Sequence, residues 1–260
     1  MTIDRVKKFA LLMFGLFLYS VGILLTIHAH LGTAPWDTFQ IGLSVHTGLT
    51  LGRVSQVVGV IIIGLNIVLK ELPGWGTILN MYFIGYFIDL IERLAIIPNP
   101  QGWWGKLVML LMGIIVTGWA TFFYMDAGWG AGPRDGLMLG LSKRFSTKVW
   151  KARTAVEVVV AGAGYALGGR LGLGTVLYAW LIGPAIQIVY QIVGKDPKSI
   201  RHRTLQDNYQ ALLAYGGGPQ KSKRQPQEPY YKEPVEPVLE EGISACPLRP
   251  NKKGRGPVSN

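Results

Sequence analysis

Runs of apolar residues, cut by short polar breaks, set the pattern of this chain. Phe9–Ile27 is an unbroken apolar run of about 19 residues, long enough to cross a hydrocarbon core of ~30 Å as a helix. Five more runs follow: Val54–Leu69, Thr77–Ile91, Leu107–Met125, Val149–Leu167 and Thr175–Val193. Two shorter helices, Pro35–His46 and Pro133–Phe145, start on a proline and are too short to span. The tight stretches Lys70–Gly76 and Gly168–Gly174 carry turn chemistry. Beyond Gly194 the apolar pattern stops, and Pro, Lys, Glu and Gly dominate from Gly216 onward. The pattern predicts an all-α membrane protein of six transmembrane helices and two short re-entrant or interfacial ones. Residues 1–195 form the polytopic domain, and 196–260 form a basic, Pro-rich, largely disordered tail.

The pattern also repeats. Leu31–Ser44 returns as Trp129–Ser142 at a constant spacing of 98, so Pro35, Asp37, Gly42 and Ser44 fall on Pro133, Asp135, Gly140 and Ser142. From Ala29–Ile91 against Ala127–Val189 the copies align without a gap, with 18 identities in 63 positions. This predicts two repeats, A over about 9–95 and B over about 107–193. Each holds three spans, so the second copy enters from the opposite side and the repeats have inverted topology.

Composition adds to this picture. The chain has 260 residues, 49% hydrophobic and 16% charged, which is membrane composition. The net charge of +11 sits at segment ends and in the tail, as on cytoplasmic loops, and not on a nucleic-acid face. Arg134, Lys143, Arg144, Lys148, Lys151 and Arg153 crowd one inter-span stretch, which sets both termini on the cytoplasmic side. The single cysteine, Cys246, leaves no intramolecular disulfide and argues against a Cys-based metal site.

Candidate chemistry sits at the two short helices. Asp37 and Asp135 lie in the first turn, where a carboxylate faces the positive end of the helix dipole. Two readings stand side by side: each Asp caps its own helix, or the two helix starts approach one another and line a solute path. Trp36 in one copy stands where Arg134 stands in the other, so such sites are not equivalent, and Arg134 can hold an anionic group or pair with an Asp. Glu157 lies inside the fifth span, where acids are functional candidates, although Arg153 four residues earlier can pair with it. Asn66 reads as a helix–helix hydrogen bond, and His28, His30 and His46 as ordinary loop histidines. No nucleophile–base pair, phosphate loop, metal signature or cofactor motif is evident.

The combination of Gly32–Asp37, Gly42-Leu-Ser44, Thr47–Gly52 and Gly132–Ser142 resembles the YczE/YyaS/YitT-type bacterial membrane proteins, YczE-like above all. The resemblance covers about residues 5–195. It implies a polytopic protein of the bacterial cytoplasmic membrane and carries over no substrate or catalytic residues. The leading expectation is a small-solute transporter or permease, not an enzyme, whose pseudo-symmetric site is lined by Pro35, Trp36, Asp37, Pro133, Arg134, Asp135 and Glu157. Its partners would be the lipid bilayer and a small solute, with a further copy or another membrane protein open. The alternative is a non-transporting scaffold or regulator acting through its cytoplasmic loops and tail.

Overall fold

The computed structural model describes residues 2–130 and 132–195. The tail read from the sequence, 196–260, lies outside them. Among the described residues the fold is eight α-helices and no strand. They are α1 (Thr2–His28), α2 (Pro35–Thr47), α3 (Leu51–Val68), α4 (Trp75–Leu94), α5 (Trp103–Asp126), α6 (Pro133–Arg144), α7 (Val149–Ala166) and α8 (Leu173–Val193). The short helices begin at Pro35 and Pro133, where a missing N–H costs nothing. Four helices, α1, α3, α5 and α8, are long and apolar enough to cross a membrane. α4 and α7 match the third and fifth apolar runs in position, but carry Asp89, Glu92 and Arg93 in one and Lys151, Arg153 and Glu157 in the other. Those charges dilute their hydropathy.

α1 and α5 form the central pair. Gly15 lies against Tyr124, Gly22 against Thr117, and Thr26 against Gly113, so the two helices run antiparallel. Glycine at these points lets the backbones approach closely, as membrane helices without a hydrophobic drive between them require. α4 packs on α1, and α8 on α5. Leu12, Leu16, Ile84, Ile88 and Ile91 fill the first of these seams; Leu110, Ile114 and Tyr178 fill the second.

The short helices each lean on both halves of the chain. α2 packs on α7 and α3, and α6 on α3 and α7. Gly164 brings α7 against the backbone of Thr38 and Phe39, and Gly136 of α6 lies against Asn66. Several contacts come in pairs related by 98 positions. The Gly76 N–H donates to the Trp129 carbonyl at 2.8 Å, and the Gly174 N–H to the Leu31 carbonyl at 2.7 Å. Ser44 Oγ donates to the Leu49 carbonyl at 2.6 Å, and Ser142 Oγ to the Thr147 carbonyl at 2.5 Å. Gly32 and Gly130 take φ of 111° and 139°, a region that favours glycine, at the two matching reversals.

Candidate functional site

The chain reverses after α1 at 29–34 and after α5 from 127 to 130, and α2 and α6 start back towards the middle of the bundle. The antiparallel register sets the ends of α1 and α5 about 15 residues apart, roughly 22 Å at 1.5 Å per residue. The returning segments close that distance: the starts of α2 and α6 meet. One guanidinium nitrogen of Arg134 lies 3.9 Å from Asp37 Oδ1. The guanidinium carbon sits 5.0 Å from the centroid of the Trp36 ring, a cation–π geometry. Trp36 and Arg134, which stand at matching positions of the two motifs, are thus in contact with each other.

The two aspartates do different things. Asp135 turns back to its own helix start and takes a hydrogen bond from the Gly132 N–H, as a capping carboxylate does. It is half-buried and within electrostatic reach of Arg153, Arg134 and Glu157. Asp37 is only 2% exposed, and its Oδ1 has no hydrogen-bond partner among the described residues. That oxygen takes no backbone N–H at the start of α2, so the capping expected of it is absent there. A buried carboxylate without hydrogen bonds is costly unless a charge stands near it, and Arg134 is that charge. At 3.9 Å the contact is an ion pair beyond hydrogen-bond length.

The other expected residues frame this centre. Pro35 and Pro133 open their helices, the first half-buried and the second buried. The Pro133 carbonyl accepts from Asn66 Nδ2 at 2.8 Å, which fixes α3 to the start of α6. Asn66 therefore makes the inter-helix bond expected of it, at the edge of the site. Glu157 pairs with Arg153 at 3.0 Å on its own helix and reaches Asp135 electrostatically. Tyr19 of α1 and Tyr178 of α8 complete the surroundings, both within electrostatic reach of Asp37 and Arg134. Sequence reasoning passed over these two tyrosines, because a phenol in a long apolar run gives no periodic signal.

The histidines lie apart from the centre. His28 Nε2 meets Glu92 Oε1 at 2.8 Å, while His28 Nδ1 and His30 Nε2 share Asn99 Oδ1. Arg170 donates to His30 Nδ1 at 2.8 Å. These contacts tie the ends of α1 and α4 to the turn before α8. No group of three or more His, Cys, Asp or Glu among the described residues is arranged to hold a metal ion. A cavity of about 450 Å³ opens beside Arg170, lined also by His30, Gly32, Trp103, Tyr165 and Leu173. None of the seven expected site residues lines it.

One of the relatives is described as a membrane protein. The chain is 32% identical over 191 residues to a protein of Haemophilus influenzae described as an uncharacterized protein, covering 74% of this chain and 87% of the relative. It is 36% identical over 171 residues to the Bacillus subtilis uncharacterized membrane protein YczE, covering 65% of this chain and 79% of the relative. The Bacillus subtilis protein YyaS is 28% identical over 183 residues, 69% and 90% of the two chains. No solved structure matches the chain. With four long apolar helices, a relative named as a membrane protein, and a family model described as "Family of unknown function (DUF6198)" matching residues 6–191, the chain is a membrane protein belonging to that YczE-like family.

Proposed function

We propose that this protein is a small-solute transporter of the bacterial cytoplasmic membrane, built from two inverted halves whose short helices present one shared site. The observation that carries the reading is the contact between the two helix starts: Arg134 from one copy lies over Trp36 and beside Asp37 of the other. Broken helices that meet within the bundle offer dipole ends and side chains to a solute where a continuous helix has its backbone groups already bonded. The inverted arrangement is supported by the antiparallel run of α1 and α5, which occupy the same place in the two copies, and by the paired hydrogen bonds at Gly76 and Gly174. Six spans require α4 and α7 to cross; at 20 and 18 residues they reach roughly 30 and 27 Å. The basic stretch from Arg134 to Arg153 supports cytoplasmic termini. Asp37, Arg134 and Asp135 serve in binding on this reading, and none in catalysis.

The test is solute-driven current or tracer flux in proteoliposomes holding the full chain, against empty vesicles, across a panel of small cations, anions and neutral solutes. The wild type is expected to move at least one class, and Asp135→Asn to lower the flux at unchanged folding. Flux equal to empty vesicles for every class contradicts the proposal.

A further inference from the structure

Two buried polar atoms, Trp36 Nε1 and Asp37 Oδ1, lie at the α2–α6 contact without the partners that buried polar groups normally have, beside the part-exposed Arg134 guanidinium. The Arg134 guanidinium, with five N–H donors, makes no hydrogen bond among the described residues; its contacts are the 3.9 Å ion pair and the Trp36 face. Trp36 is 7% exposed, and its Nε1–H has no acceptor. Asp37 Oδ1, facing Arg134, has no donor at hydrogen-bond distance. Two donor groups thus lack an acceptor among the described residues, and Asp37, the carboxylate that Arg134 pairs with, stands beyond hydrogen-bond distance.

We propose that this contact is a binding site for a small carboxylate anion, and that the anion arrives with one proton, taken up by Asp37. The inference rests on the transporter reading and names its solute class. A carboxylate offers two coplanar oxygens that match the guanidinium fork, and stacking on Trp36 holds that fork in one plane. The Trp36 Nε1–H provides a further donor. To accept the anion, Arg134 must exchange Asp37 for it. Asp37 is then a buried carboxylate without a counter-charge, which is far more costly than a buried carboxylic acid. One O–H bond of a hydronium ion breaks and one forms on the Asp37 carboxylate, which leaves a water molecule and a neutral carboxylic acid and raises the pH of the medium.

Charge arithmetic points the same way. The groups facing the site are Asp37 of α2, Arg134 and Asp135 of α6, Arg153 and Glu157 of α7, and the phenols Tyr19 of α1 and Tyr178 of α8. Three carboxylates stand against two guanidiniums, a net charge of −1 with the phenols neutral. An anion alone deepens that excess; an anion with a proton leaves it unchanged.

The test uses the purified full chain in detergent at neutral pH and low buffering, with sodium acetate and sodium benzoate as probes and sodium chloride as the ionic-strength control. Binding is followed by calorimetry and proton uptake by a pH indicator. Wild type is expected to bind at least one carboxylate saturably, with one proton taken up per anion. Arg134→Gln weakens binding about ten- to a hundred-fold. Trp36→Phe keeps the aromatic face, loses the Nε1 donor, and weakens binding about 2–10-fold. Asp37→Asn binds without proton uptake. If Arg134→Gln fails to fold, Trp36→Phe and Arg134→Lys, which keeps the charge but not the fork, decide in its place. Binding of neither carboxylate, binding unchanged in the Arg134 and Trp36 variants, or binding without proton uptake in wild type overturns the proposal. Binding with proton uptake but no flux in vesicles leaves this inference standing and sinks the transporter reading. Flux without carboxylate binding does the reverse.

Discussion

Trp36 and Arg134 occupy matching positions of the repeated motif and lie against each other. Both copies keep the proline and the aspartate that start a helix, and the structure gives those aspartates different surroundings. Asp135 caps at Gly132, while Asp37 faces Arg134 with an oxygen that has no hydrogen bond. The spacing of 98 made both positions visible in the sequence. The contact between Trp36 and Arg134 was not legible there, because a repeat fixes which residues correspond and leaves open which ones touch. Asn66 shows the complementary case. A lone amide in an apolar span was readable as an inter-helix bond, but its acceptor, the Pro133 carbonyl, was not. Asn66→Ala removes that donor and leaves a buried carbonyl at the start of α6. The expected cost is about 0.5–2 kcal/mol, read as a lower Tm in detergent, and an unchanged Tm contradicts the role given to this bond.

Helix boundaries were legible to within a few residues, since proline starts and glycine turns punctuate the apolar runs. Pro35 and Pro133 open α2 and α6 as the pattern predicts. The expected Val54–Leu69 and Thr175–Val193 are observed as Leu51–Val68 and Leu173–Val193. Packing between the elements was less legible. Small residues in α7 mark it as a close-packing helix, yet nothing in the pattern says that Gly164 meets the backbone at Thr38 and Phe39. That contact seats α2, and with it Trp36 and Asp37. Gly164→Val places a branched side chain against backbone that cannot yield as a side chain would. It is expected to destabilise by about 1–3 kcal/mol and to weaken any activity that depends on the site. The check is Tm together with the flux of the same preparation. A variant with unchanged Tm and flux contradicts the placement of α2.

At the scale of the whole molecule, two copies of one motif point into the same place from opposite ends of the central helix pair. Each start lies at a reversal where glycine takes positive φ, at Gly32 and Gly130. Each is held by a backbone bond to the turn of the other half, Leu31 with Gly174 and Trp129 with Gly76. Composition alone placed the chain in a membrane, and the relative YczE is described as a membrane protein. The number of crossings is harder to read, because α4 and α7 carry charges that hydropathy penalises wherever they sit. Some of those charges are engaged locally: Asp89 accepts from Thr50 Oγ1 at 2.6 Å, and Arg153 meets Glu157 at 3.0 Å. Partnered charges raise the cost of crossing less than free ones do.

In the proposed inverted arrangement, α2 and α6 run outward from their meeting point to opposite faces of the membrane. His46 and Arg144 mark the exposed far ends of the two helices. With Cys246 replaced by serine, the direct measurement is the labelling of His46→Cys and Arg144→Cys by a membrane-impermeant thiol reagent, in intact cells and in inverted vesicles. Position 46 is expected to label from outside and position 144 only from the cytoplasmic side. Labelling of both from the same side contradicts the inverted arrangement.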